Sequence, residues 1–309
     1  MARHRGTEMM RLVGRYVSER RRLGFNGEDE AYSLRSFARY AGGKGETTIR
    51  SATAVEWSAQ GPSRLARHTR LLRVIRLAKY LRAEEPEHEI PSADHFRGPY
   101  SRPKPYIYSA HEIGLLMRSA SRLGPRGGLR ASTFKALIGL LAATGMRAGE
   151  ARHLLLDDVL REQKALFIRG SKCKKSRLIP IHASTLLALD AYIAKRRRLA
   201  PAGEHLFVTS RGTGLLKANT DQTFARVRCC LGPRRQTPRL HDLRHTFAVR
   251  ALEACPTEGR DRIGRHMRAI SQYLGHTKIR HTYWYFEATP KLMKSMADAA
   301  RQVVEQVHA

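Results

Sequence analysis

The sequence predicts a mainly α protein of two domains, helical in the first and α+β in the second, with one small β-hairpin. Three observations predict it. Apolar residues recur at three- and four-residue spacing over much of the chain. A proline-rich stretch near residue 100 interrupts that pattern, and only two short segments in the second half read as β runs. With 309 residues there is enough chain for two cores.

The first hundred residues contain no convincing alternating strand. Tyr32, Leu34, Phe37, Ala38 and Ala41 mark one helix, which stops at Gly42-Gly43. The clearest helix is 64–83, where Leu71, Val74, Ile75, Ala78 and Leu81 share a face and Arg70, Arg73 and Arg76 project from the other side. Those arginines suit a phosphate backbone, although a solvated basic face has the same look. After Glu84-Glu85 five prolines fall within 25 residues, so 89–108 reads as an extended linker between a helical domain 1–88 and a second domain 109–309. Ser109 with Glu112 three residues on forms a helix-start signature. Phe134, Leu137, Ile138 and Leu141 then mark a strongly apolar helix that ends at Thr144-Gly145. Ala165–Ile168 and 177–181 flank a basic turn and read as a hairpin, and helix follows. In the tail, Leu292, Met296, Ala299, Val303 and Val307 line one face of a helix begun near Pro290.

The charge balance narrows the partners. Lys plus Arg total 57 against 27 Asp plus Glu, a formal net charge of +30. Such a chain repels itself unless a polyanion is near, and nucleic acid fits because each neutralised phosphate releases counterions. An anionic membrane surface is the competing polyanion, but no basic amphipathic helix is read at either terminus. No apolar run approaches the ~20 residues of a membrane span, and the N-terminus lacks a secretory h-region. Cys173, Cys229, Cys230 and Cys255 form no CxxC pair, so free thiols in a reducing cytoplasm are expected, with neither disulfide nor zinc site. His241 and His245 lie four apart without an acidic or thiol ligand at helical spacing, which makes a shared metal a poor reading.

Three clusters carry chemistry: Thr144-Gly145-Met146-Arg147-Ala148-Gly149-Glu150; His241-Asp242-Leu243-Arg244-His245; and Leu274-Gly275-His276, with Tyr285 nine residues further on. A metal-free attack on a phosphodiester needs a guanidinium pair for the non-bridging oxygens. It needs a hydroxyl nucleophile, and a phenol with a pKa of about 10 needs a basic or cationic neighbour to lose its proton. It also needs a general acid for the departing 5′ oxygen. Arg147, Arg244, His241, His276, Tyr285 and a lysine together supply these groups.

The boxes TGMRAGE, HDLRHTFA and LGH, followed by that tyrosine, resemble the signature of the tyrosine recombinase (phage integrase) family over roughly 105–290. The resemblance implies a helical DNA core-binding domain before an α+β catalytic domain. It implies a site-specific recombinase, integrase- or transposase-like, that breaks and rejoins DNA through a 3′-phosphotyrosine link without metal, ATP or other cofactor. Arg147 and Arg244 would clamp the phosphate, His241 would act as acid/base, and His276 would hydrogen-bond the phosphate. Glu150 would orient rather than react. The family's acidic lysine aligns best with Lys172, with Lys174 and Lys175 as rivals; Ser171 and Cys173 stand where the family often has glycines. Tyr285 is selected over Tyr283 and Tyr273 by its distance from His276. His245 and His281 are read as packing or backbone-phosphate residues, and Asp157-Asp158 as capping or exposed rather than a two-metal site. Double-stranded DNA is the implied partner, bound by a homo- or hetero-oligomer on paired sites in a bacterial cytoplasm, at the nucleoid. The ending TYWYFEATP looks closer to transposon- or plasmid-borne members. Alternatives are a type IB topoisomerase, an inactive DNA-binding or architectural protein, and a metal-dependent nuclease, which lacks a plausible acidic triad here.

Overall fold

The computed structural model describes residues 2–25, 27–98, 104–170, 176–200, 202–254 and 260–275, and the chain divides into two compact units, Met1–Arg102 and Pro103–Ala309.

Among its described residues the first unit has four α-helices: α1 (Ala2–Arg22), α2 (Glu28–Gly43), α3 (Ser51–Ala59) and α4 (Arg64–Leu81). Met9, Leu12, Val13, Tyr16 and Val17 of α1 recur at helical spacing and are buried against α2 and α4. A basic helix therefore does stand at the N-terminus, contrary to the reading of the sequence, but its apolar face is already covered by this core. On α2 the buried face is Ala31, Leu34, Phe37, Ala38 and Ala41. Tyr32 is 72% exposed, because it sits about a quarter turn from Ala31, outside that face.

The expected face of α4 is buried, and Ser63 caps its start by accepting from the Ala66 amide. Of the three arginines Arg70, Arg73 and Arg76, two have partners within the unit. Arg70 lies over the Trp57 ring at 4.9 Å, and Arg76 bonds Glu30 at 3.0 Å. Residues 85–98 also pack on this unit. His88 is fully buried and accepts the Ile49 amide, the Glu89 amide donates to the Ile49 carbonyl, and a 3-10 turn, Ala93–Phe96, lies on α4.

The second unit is built around α6 (Leu129–Thr144), which buries Phe134, Leu137, Ile138 and Leu141. It packs between α5 (Ala110–Ser121), α8 (Ala183–Leu199) and α10 (Asp242–Glu253). Ser109 and Glu112 close the capping box at the start of α5. A short α7 (Ala148–His153) leads into a sheet of β1 (Val159–Leu160), β2 (Ala165–Ile168) and β3 (Arg177–Pro180), antiparallel in the order β1-β2-β3. Leu166 faces Ile179 across the ladder and Ile168 faces Arg177. Arg177 and Ile179, two residues apart, thus share the inward side, while Leu178 is exposed. The hairpin was expected, but β1 was not: two residues give no alternation to read. Asp158 is buried, caps the Leu155 amide and pairs with Arg169, whereas Asp157 is exposed. Next come α9 (Lys217–Val227) and α11 (Arg260–Leu274). No helix among the described residues is long and apolar enough to cross a membrane.

Candidate active site

The end of α6 sets the first arginine. Its closing residue, Gly145, adopts φ +59°, where a side chain is strained. A Cβ there would also meet the Phe247 ring at 2.4 Å. The chain turns, Arg147 takes an extended conformation, and α7 starts at once. Glu150, one turn into α7, reaches back. It accepts the Arg147 amide at 2.9 Å and the Arg147 Nη1 at 2.8 Å. The other terminal nitrogen, Nη2, donates to the Gly275 carbonyl at 3.0 Å.

The second arginine comes from α10. Asp242 is buried at its first turn and is bonded by the Arg239 amide and guanidinium. An acidic group is favourable at a helix N-terminus. Arg244 is buried on the same turn and donates to the Gly145 carbonyl at 2.9 Å and the Leu274 carbonyl at 2.6 Å. The two guanidiniums therefore hold consecutive carbonyls, of Leu274 and Gly275, at the end of α11. Residues far apart in sequence converge on the peptide just before His276.

His241 stands three residues before Arg244, at the start of α10, with its ring edge-on to buried His245 at 4.7 Å. The residue as a whole is exposed, with one side of its ring against His245. Desolvation leads in lowering its pKa, the positive charges of Arg244, Arg239 and Arg147 add to it, and Asp242 opposes. The result is about 4, against an ordinary 6.5. His241 is thus neutral near pH 7 and able to accept a proton. Glu150 shifts in the acidic direction for another reason. Burial would raise its pKa, but hydrogen bonds from Arg177 and Arg147 outweigh that and hold it at about 2. Tyr273 is stacked on Phe247 at 5.4 Å; burial lifts its pKa to about 12 against the opposing charges of Arg177 and Arg244, which makes it a poor nucleophile.

The structure brings Arg147, Glu150 and Arg244 together at the end of α11, with His241 close enough to Arg244 and Arg147 to feel their charge. Lys172, with Lys174 and Lys175, and His276, His281, Tyr283 and Tyr285 lie outside the described residues, as does the C-terminal stripe. Arg177 was missed. It chelates Glu150 through Nη1 at 3.0 Å and Nη2 at 2.8 Å, and donates from Nε to the Tyr273 carbonyl at 3.0 Å. The signals for it were its place two residues before Ile179 in a half-buried strand and its standing as the arginine of the Arg177-Leu178-Ile179-Pro180 ending after Lys172. Of the surface arginines proposed for DNA, Arg73 has no hydrogen bond or ion pair among the described residues, unlike Arg70 and Arg76.

Comparison with known proteins agrees in kind. Residues 110–291 match the phage integrase family. A protein of Sinorhizobium fredii named as an integrase/recombinase, y4rB, is 36% identical over 295 residues, covering 91% of this chain and 93% of its own. Two solved structures share the fold. The site-specific recombinase XerH, bound to its palindromic difH substrate in a post-cleavage complex, matches with a TM-score of 0.63 at 20% identity, covering 87% of this chain and 78% of that one. The Tn1549 transposon integrase, in complex with transposon right-end DNA, matches with a TM-score of 0.61 at 16% identity, covering 96% and 99%.

Proposed function

The chain belongs to the phage integrase family, the tyrosine recombinases, and from that premise we propose how its own residues cleave and rejoin DNA. Arg147 and Arg244 hold the two non-bridging oxygens of one scissile phosphate and offset the charge that grows in the transition state. The Tyr285 oxygen attacks phosphorus, the bond to the 5′ oxygen breaks, and a 3′-phosphotyrosine remains. His241, neutral before DNA binds, takes the phenolic proton, and Lys172 protonates the departing oxygen. A 5′ hydroxyl from a partner strand then reverses both steps, so bond energy is conserved. The single observation that carries this reading is the convergence of Arg147 and Arg244 on consecutive carbonyls directly before His276.

The first unit, residues 1–102, is proposed to grip double-stranded DNA, with Arg73 on a backbone phosphate, and the second to carry the chemistry. Assembly on paired sites of bacterial cytoplasmic DNA is the expected working state. In the second unit a groove of about 630 Å³ runs between α5, α6 and α8, lined by Met117, Ala136, Gly139 and Ala188. Its mainly apolar floor, with Lys135, Lys195 and Arg250 also lining it, suits the stripe Leu292, Met296, Ala299 and Val303 of another copy.

The test is a nicked suicide duplex, carrying a site selected by binding from a random library, incubated with the chain in EDTA. A covalent adduct is expected, abolished by Tyr285→Phe and kept by Tyr283→Phe. No adduct on any bound site would sink the enzyme reading, and loss of the adduct in EDTA would indicate metal chemistry. Relaxation of supercoils without exchange between duplexes would indicate a topoisomerase.

A further inference from the structure

We propose that Arg177 is a positioning residue for strand cleavage, which fixes Arg147 through Glu150 while making no contact with the phosphate. The proposal rests on the recombinase reading above and gives a role to an arginine to which that reading assigns none.

Glu150 lies between two guanidiniums. Its Oε1 accepts from Arg147 Nη1 and Arg177 Nη1, and its Oε2 accepts from the Arg147 amide and Arg177 Nη2. The planar fork of Arg177 matches both carboxylate oxygens at once, so it sets the rotation of the carboxylate as well as its place. That carboxylate in turn sets the direction of Arg147 Nη1. The third nitrogen of Arg177, Nε, is taken by the Tyr273 carbonyl. Its side chain is only 13% exposed, against 26% for Arg147. Three of the five N–H donors of Arg177 go to internal acceptors and its side chain is the more buried of the two, whereas Arg147 keeps an open edge.

The residue also ties three elements together. It begins β3, it binds α7 through Glu150, and it holds the last turn of α11 through the Tyr273 carbonyl. Its guanidinium lies so close to Gly275 that a Cβ there would meet Nη1 at 3.1 Å. Gly275, at φ +65°, has the conformation and the lack of bulk this approach requires. The arginine that clamps and the peptide before His276 are thereby held to one another. Catalysis of this kind depends on such registration, and a misplacement of ~1 Å costs on the order of 10²-fold in rate.

Single-turnover adduct formation on the suicide duplex, run beside DNA binding and thermal unfolding, tests the proposal with Arg177→Met, Arg177→Lys and the control Arg169→Met. Arg169 follows the other leg of the hairpin and pairs with Asp158, with no bond to Arg147, Glu150 or Arg244. The expected result for Arg177→Met is a fall in cleavage rate of about 10²-fold with DNA affinity within threefold of the wild type. Arg177→Lys, which keeps the charge but loses the fork, restores only part of the rate, and Arg169→Met cleaves as the wild type does. A carbon-13 titration of the Glu150 carboxyl gives a readout independent of activity: its pKa rises in Arg177→Met toward the ordinary carboxylate value. Cleavage by Arg177→Met within threefold of the wild type, or an equal fall in cleavage and binding, overturns the proposal. If Arg177→Met lacks a cooperative unfolding transition, Arg177→Lys decides: full wild-type cleavage there overturns it. A wild-type chain that forms no adduct defeats the recombinase reading itself, a separate outcome visible before any variant is compared.

Discussion

Ionisation at the site works in two pH windows. Glu150 has a folded pKa of about 2, below its ordinary 4.5, because the hydrogen bonds from Arg177 and Arg147 overcome the opposing effect of burial. Its contribution to stability is present above 4.5 and is lost as pH falls toward 2. His241 is depressed from 6.5 to about 4, by desolvation first and then by the neighbouring arginines. In the unfolded chain this histidine protonates first, so stability is full above 6.5 and declines as pH falls toward 4. We expect His241→Gln to flatten the stability curve between pH 6.5 and 4 and to leave the loss below that window in place. Urea unfolding across pH measures it, and an unchanged slope in that window would count against the assignment. The spacing of Arg147 and Glu150 was legible in the sequence because three residues at a helix start is a local relation. The fork of Arg177 onto Glu150 was not, because it joins a strand to a helix 27 residues away.

Among the elements, the junction of α6 and α7 matters most. Gly145 ends α6 at positive φ, packs its Cα against Phe247, and presents its carbonyl to Arg244. Gly145→Ala would combine an unfavourable φ with a contact at 2.4 Å, so it should cost well over ~1 kcal/mol. It should also reduce cleavage, because the peptide that Arg244 grips has to move. Thermal unfolding and the adduct assay check both; a variant as stable and active as the parent would show that the turn has slack. The apolar spacing of α6 and the capping box of α5 were visible in advance, since each depends on side chains within a turn or two. Tyr32 was misplaced on the inner face because a helix with apolar residues at adjacent positions leaves its orientation open until a neighbour packs against it. The basic helix α1 went unrecognised as a unit for the same reason: its buried stripe is interleaved with arginines.

At the level of the whole molecule, a net charge of +30 has to be met by DNA for either unit to work at close quarters. Affinity for duplex should therefore fall steeply with salt, by about 10³-fold or more between 50 and 200 mM if some six phosphates are neutralised. Arg73→Ala should weaken binding to all sequences alike and lower the salt slope by about one, as for a single phosphate contact. Arg70 and Arg76 are held by Trp57 and Glu30, so their loss should register in the unfolding of the first unit as well. Fluorescence anisotropy over a salt series separates these outcomes, and an Arg73→Ala slope equal to the parent's would remove that residue from the interface.

The sequence by itself determined the family, its chemistry and the identity of the residues in the three boxes, because short motifs in a set order encode local turns and residue types. It also determined that the chain needs a polyanion, since charge is a matter of counting. Tertiary structure alone decided that Arg147 and Arg244 meet on consecutive carbonyls of α11, that His241 is neutral near pH 7, and that Arg177 belongs to the site. Each of these depends on desolvation or on hydrogen bonds between residues distant in the chain. Such distances come into being only when α6, β3, α10 and α11 pack together.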